Sequence, residues 1–125
     1  MILDTNAVSR LADGDPSLRE ALQGMSSPHL PAIVLGEYRY GIAGPRHADR
    51  YAAWLAELVK GSEVLDVDER TATHYAAIRG ELRRKGTPMP SNDTWIAALA
   101  RQHRLPVLSR DEHFDRVGGV RRVGW

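Results

Sequence analysis

Short apolar runs alternate with longer stretches of helical periodicity along this chain, and that alternation limits the folds open to it. Ile2 and Leu3 begin a strand. "AVSRLADGDPSLREALQGM" reads as a short helix, a break at Gly14-Asp15-Pro16, and a second helix with Pro16 near its first turn. "PHLP" is so brief and proline-flanked that it can hold only a short strand, and the second strand is the least secure element. "AIVLGEYRYGIAG" is helical to near Gly44-Pro45, and "RYAAWLAELVKG" puts Tyr51, Trp54, Leu55 and Leu58 on one helix face. "EVLDV" is a strand. "DERTATHYAAIRGELRRKG" is a helix with Asp68 as N-cap, closed by Gly86 and Pro88. "SNDTWIAALARQH" is a last helix, capped by Ser91 or Asn92; "LPVLS" is a strand, and "VRRVGW" a short final one. Strands separated by helices predict an α/β layered fold on a largely parallel sheet.

The chain has 125 residues, which suits one domain over 1–125. No apolar run approaches the roughly 20 residues of a bilayer span. Asp4 comes too early for a signal peptide's apolar region, and there is no cysteine, so neither a disulfide framework nor a thiolate metal site is expected. These features predict a cytoplasmic protein with no membrane association. The net charge of +1 decides nothing by itself. Withdrawing several acids around a cation would leave a basic excess, which permits a nucleic-acid partner.

In open α/β sheets, ligands gather beyond the carboxyl ends of the strands. Asp4 directly follows the first strand. Asp111, in "PVLSRDEHFD", lies just past Pro106-Val107-Leu108. Two carboxylates therefore leave two strands at one edge. Glu37 sits among Ile33, Val34, Tyr40 and Gly41 on its helix, an apolar or small face. It could equally be a half-buried glutamate paired with Arg39 or Arg10. Asp93 shares a face with Ile96, Ala97 and Ala100, yet an acid in a first turn is also what the helix dipole favours. If the four converge they repel: two like charges about 4 Å apart cost about 4 kcal/mol at an effective dielectric near 20. Such a cluster needs protons or a cation. With no cysteine, oxygen ligands favour Mg²⁺ or Mn²⁺.

Taken in order, "LDTN", "GE" in an apolar helix, "NDTWIAALA" and "LSRDEHFDRV" resemble the PIN-domain nucleases, and most of all the VapC toxins of bacterial toxin–antitoxin pairs. The likeness spans the chain, and its most specific part is "D-x-W-I-A-A-L-A" followed by a strand and "S-R-D-x-x-F". It implies a three-layer α/β/α sandwich around a mainly parallel sheet. It also implies a Mg²⁺-dependent endoribonuclease in which Mn²⁺ can substitute, acting on RNA, dimerising with itself and silenced by a cognate antitoxin. Asp4, Glu37, Asp93 and Asp111 fall on the family's four acidic positions, with Asp4 and Asp93 as the expected direct metal ligands. Asn6 and Ser109 fall on polar positions that support the acids. Asp115 reads as a solvated or supporting acid, the alternative being that it shares the role of Asp111.

The remaining residues carry weaker signals. Arg79, Arg83, Arg84 and Lys85 form a basic run that would ordinarily be a solvated helix face, but it leads into the loop before Asp93. Arg84, Lys85, Arg110 and His113 are candidates for RNA contact. His29, His47, His74, His103 and His113 show no metal-type spacing and read as surface or satisfied imidazoles. Two other readings compete. A haloacid-dehalogenase phosphatase also places Asp after its first strand but wants D-x-D, and Asn6 occupies the second acid's place. A catalytically silent module that binds RNA or an antitoxin would have no need of all four acids.

Overall fold

Five short strands lie side by side, all parallel, in the order β3-β2-β1-β4-β5. The computed structural model describes residues 1–44 and 48–125; Pro45, read above as part of a helix stop, and His47 lie outside the described residues. The strands are β1 (Ile2–Leu3), β2 (His29–Pro31), β3 (Glu63–Leu65), β4 (Val107–Leu108) and β5 (Arg122–Val123). The helices are α1 (Thr5–Ala12), α2 (Pro16–Leu22), α3 (Ala32–Gly41), α4 (Ala48–Lys60), α5 (Glu69–Lys85) and α6 (Ser91–His103). A 3₁₀ turn covers Glu112–Arg116.

The central strands are apolar on both faces, as a parallel sheet covered on both sides requires. Ile2, Leu3, Leu30, Val107 and Leu108 are wholly buried. From β1 the chain steps to β2 and β3 in one direction, with α1–α4 in the crossovers. It then returns past β1 to β4 through α5 and α6. Right-handed crossovers put these two groups of helices on opposite faces, giving the α/β/α sandwich. The strand order reverses between β1 and β4, so their carboxyl ends open into the crevice where such folds bind ligands.

Local chemistry explains the boundaries. The "PHLP" segment does form a strand, in register with β3 from His29↔Glu63 to Pro31↔Leu65. α5 carries a reciprocal capping box between Asp68 and Thr71 and stops at Gly86, whose φ of 68° is left-handed and favours glycine. Two expectations change. α1 begins at Thr5 rather than at Ala7, because the Asp4 carboxylate already caps it by accepting the Ala7 N–H. α6 has Pro90, with extended ψ, at its N-cap and no side-chain cap from Ser91 or Asn92, so Asp93 is the acid that faces the helix's positive end.

Candidate metal centre

The β1–β4 register, Ile2↔Val107 and Leu3↔Leu108, brings Asp4 level with Ser109. Asp4 is only 4% exposed. One carboxylate oxygen accepts the Ala7 N–H at 2.7 Å, and the other accepts the Ser109 hydroxyl. Ser109, itself fully buried, also accepts the Asp111 backbone N–H at 2.9 Å. The Asp111 carboxylate in turn accepts the His113 backbone N–H at 2.9 Å and so caps the 3₁₀ turn, which buried Phe114 anchors in the core. Asp93 arrives from the first turn of α6. Glu37 arrives from the middle of α3, where its Oε1 accepts the Thr5 hydroxyl at 2.9 Å.

Burial raises the Asp4 carboxyl above its ordinary range, and the charges of Asp111 and Glu37 add to this against the two hydrogen bonds. Burial also raises Asp93, followed by the charges of Asp111, Asp4 and Glu37, with His113 opposing. Asp4 thus feels the charges of Asp111 and Glu37, and Asp93 those of the other three acids. Among the described residues no arginine pairs with Glu37, so the Arg39 and Arg10 alternatives are not what satisfies it.

Ligand-bearing atoms of Asp93, Asp111 and His113 lie within 4.8 Å of one another. The His113 Nδ1 stands 3.0 Å from Asp111 Oδ1 and 3.8 Å from Asp93 Oδ2, and it is buried without a hydrogen bond of acceptable geometry. An imidazole nitrogen left over between two carboxylates, with two further acids beside them, is a donor set that fits a divalent cation. Asp93 belongs to this tight group. Both Asp4 oxygens are engaged in hydrogen bonds, although each keeps a lone pair.

The other candidates fall in different places. Asn6 is exposed in the first turn of α1. Asp115 forms a two-pronged ion pair with Arg122, both distances 2.9 Å, and Arg122 also donates to the Ser109 carbonyl at 3.2 Å. Asp115 is therefore tied to the loop leaving β4 rather than to the acids. Arg110 stands 3.9 Å from Asp15 and over the Trp125 ring, while Lys85 donates weakly to the Arg116 carbonyl at 3.4 Å. Arg84 is exposed near the end of α5. Thr5 and Arg122 carry no sequence signal that would have singled them out. The D-x-H spacing of Asp111 and His113 is a signal, but only once a tight turn is known to follow β4.

A parallel sheet with carboxylates gathered at its topological switch point marks the class, and the PIN-domain family model matches residues 1–120. The chain belongs to the PIN-domain family. Over 127 aligned residues, 99% of this chain and 96% of the relative, it is 32% identical to the tRNA(fMet)-specific endonuclease VapC of Shigella flexneri. The DNA-bound VapBC structure from Salmonella typhimurium matches with a TM-score of 0.89 and 32% identity, covering 99% of this chain and 96% of that one. A VapBC2 structure from Rickettsia felis matches with a TM-score of 0.91, covering 99% and 97%; at 22% identity this is a likeness of fold. PIN nucleases use divalent metal ions, and the acidic cluster at this sheet edge is in keeping with that. Among the described residues no helix is long and apolar enough to cross a membrane.

Proposed function

We propose that this chain is a divalent-metal-dependent endoribonuclease and the toxin of a toxin–antitoxin pair. The observation that supports the reading is the grouping of Asp93, Asp111 and His113 within 4.8 Å of one another, linked through Ser109 to Asp4, at the switch point of a PIN fold, with Glu37 assigned as the fourth acid. Asp93, Asp111 and His113 are the residues proposed to hold the ion, with Asp4 beside them, its carboxylate oriented by Ala7 and Ser109. Mg²⁺ is the proposed ion, and Mn²⁺ would substitute. Bound there, it would supply a more acidic water and stabilise charge on the phosphodiester during in-line attack. Glu37, with Oε1 taken by Thr5, keeps Oε2 to accept a hydrogen bond from the attacking water. RNA is the proposed substrate, and initiator tRNA is the first to assay because the Shigella flexneri relative is named for it.

The proposed partner is a cognate antitoxin, since solved relatives are VapBC complexes. A guanidinium matches carboxylates two at a time, so an antitoxin arginine among these acids would both displace the ion and bar the substrate. A homodimer and a cytoplasmic location belong to the same reading. The decisive experiment incubates purified protein with tRNA in millimolar Mg²⁺, with and without EDTA, beside Asp93→Asn. Cleavage by the wild type alone, and only with the metal, is expected. RNA left intact by the wild type across Mg²⁺ and Mn²⁺, or cut equally in EDTA, would overturn the reading.

A further inference from the structure

Between α5 and the start of α6 lies a cavity of about 340 Å³ lined by Arg79, Leu82 and Arg83 of α5, Pro88 and Met89 of the connecting loop, and Thr94 of α6. Its size falls within the roughly 300–1,000 Å³ of small-molecule sites. The elements that line it also lead to the candidate metal centre. Thr94 follows Asp93 in the first turn of α6, and Lys85, at the end of α5, reaches the Arg116 carbonyl of the 3₁₀ turn that Asp111 caps.

Arg101 is neutralised by Glu81 and Arg122 by Asp115, whereas neither Arg79 nor Arg83 has a carboxylate in ion-pair contact among the described residues. Arg79 is nevertheless held. It donates to the Tyr75 hydroxyl at 2.7 Å; that hydroxyl also bonds Ser91 at 3.0 Å, and the Tyr75 ring stacks on Trp95 with centroids 3.9 Å apart. A fixed, uncompensated guanidinium at the mouth of a cavity attracts an anion. The apolar wall of Leu82, Pro88 and Met89 suits the face of a planar ring. One ligand combines these two features in a ribonuclease: a nucleotide of the bound strand, with its phosphate and its base.

Building on the ribonuclease reading, we propose that this cavity is a nucleotide subsite. Arg79 and Arg83 grip the phosphate of a residue flanking the scissile bond, and Leu82 and Met89 receive its base. Phosphate contacts fix register, and base contacts confer preference. Apart from the two arginines assigned to the phosphate, the only hydrogen-bonding side chain in the lining is Thr94, whose hydroxyl already donates to the Pro90 carbonyl at 3.0 Å. The preference it imposes is therefore one of shape and stacking.

The test measures binding of a short, labelled single-stranded RNA of mixed sequence at several salt concentrations, in Ca²⁺ and in EDTA. Each phosphate contact to a single strand contributes about 0.7 to the slope of log K against log salt. Arg79→Ala/Arg83→Ala should lower the slope by about 1.4 and the affinity by about tenfold or more. Arg79→Lys/Arg83→Lys should recover most of the slope, and Met89→Ala should weaken binding without moving it. In Mg²⁺ the double-alanine variant should raise KM and largely keep kcat. An unchanged slope, or a wild type with no measurable binding, would overturn the subsite. So would loss of binding that tracks only a change in oligomeric mass, which would make the cavity a contact between copies. Binding is read without cleavage, so the two readings fail separately. RNA bound but never cut counts against the nuclease, and RNA cut with unaltered KM in the double variant counts against the subsite alone.

Discussion

The Ser109 hydroxyl donates to the Asp4 carboxylate across the β1–β4 pair, and the same oxygen accepts the Asp111 N–H at 2.9 Å. One buried hydroxyl thereby sets the orientation of one acid and the path of the backbone to another. Ser109→Ala would leave a buried carboxylate oxygen and a backbone N–H each short of a partner. A loss of about 1–3 kcal/mol in urea unfolding is expected, with weaker divalent-ion binding. Stability and affinity both equal to wild type would show that the hydroxyl is incidental.

The raised carboxyls of Asp4 and Asp93 give a signed pH dependence. Their native forms hold protons more tightly than the unfolded chain does. Their contribution to stability is therefore complete below the ordinary value of 3.8 and is lost as pH rises through the native values. The exposed acids Asp15, Asp68 and Asp115 are shifted down and slope the other way, so the useful quantity is a difference between proteins. Asp4→Asn keeps a capping oxygen for Ala7 but removes a charge. In EDTA its melting temperature should exceed the wild type's at pH 7, and the gap should close toward pH 4. A gap that stays constant with pH would point to packing instead.

Divalent cations should reverse that order. Mg²⁺ or Mn²⁺ binding only the folded wild type raises its melting temperature by mass action, about 2.7 kcal/mol of stabilisation at a hundredfold excess over Kd. Asp4→Asn should gain less. Thermal scans across millimolar metal decide this, and coincident curves for both proteins in every metal would remove the cation from the account.

His113 makes the choice of metal testable. An imidazole nitrogen suits Mn²⁺ better than Mg²⁺. His113→Ala should therefore weaken Mn²⁺ binding more than Mg²⁺ binding in calorimetric titration. Equal losses for the two ions would place the imidazole outside the coordination sphere.

Thr5 holds Glu37 through one hydrogen bond at 2.9 Å. Thr5→Val conserves shape and deletes the donor. Stability should change by about 1 kcal/mol, while RNA cleavage falls further through kcat than through KM, and Thr5→Ser should restore it. If Val at position 5 cleaves as well as Thr, the hydrogen bond does not position Glu37 for the reaction.

Much of this arrangement can be read from the chain because it follows from local rules. Asp4 and Asp111 are legible as carboxylates leaving strands, since Ile2-Leu3 and Val107-Leu108 are apolar and end abruptly. Asp68 and Gly86 bound α5 by ordinary capping chemistry. What escapes the sequence is pairing at long range. The hydroxyl of Thr5 meets Glu37 across 32 positions, and nothing near either residue encodes that meeting. Arg122 reaches the Ser109 carbonyl only because β5 joins β4 in parallel. β2 looked doubtful for the opposite reason. Two prolines argue locally against a strand, whereas the ladder beside β3 needs only a few of its N–H groups.

For the toxin proposed above, the sheet order also has a consequence for when activity first arises during synthesis. β1 lies at the centre, and Asp4 is completed by Ser109, 105 positions later. On the ribosome, the first acid must wait in an unfinished sheet until nearly the whole chain has emerged. A nascent or prematurely ended chain that stops short of β4 carries three of the four acids yet cannot set them around a metal. On this reading the topology itself works as a time lock, withholding the activity until synthesis is almost done and leaving an antitoxin only finished molecules to restrain.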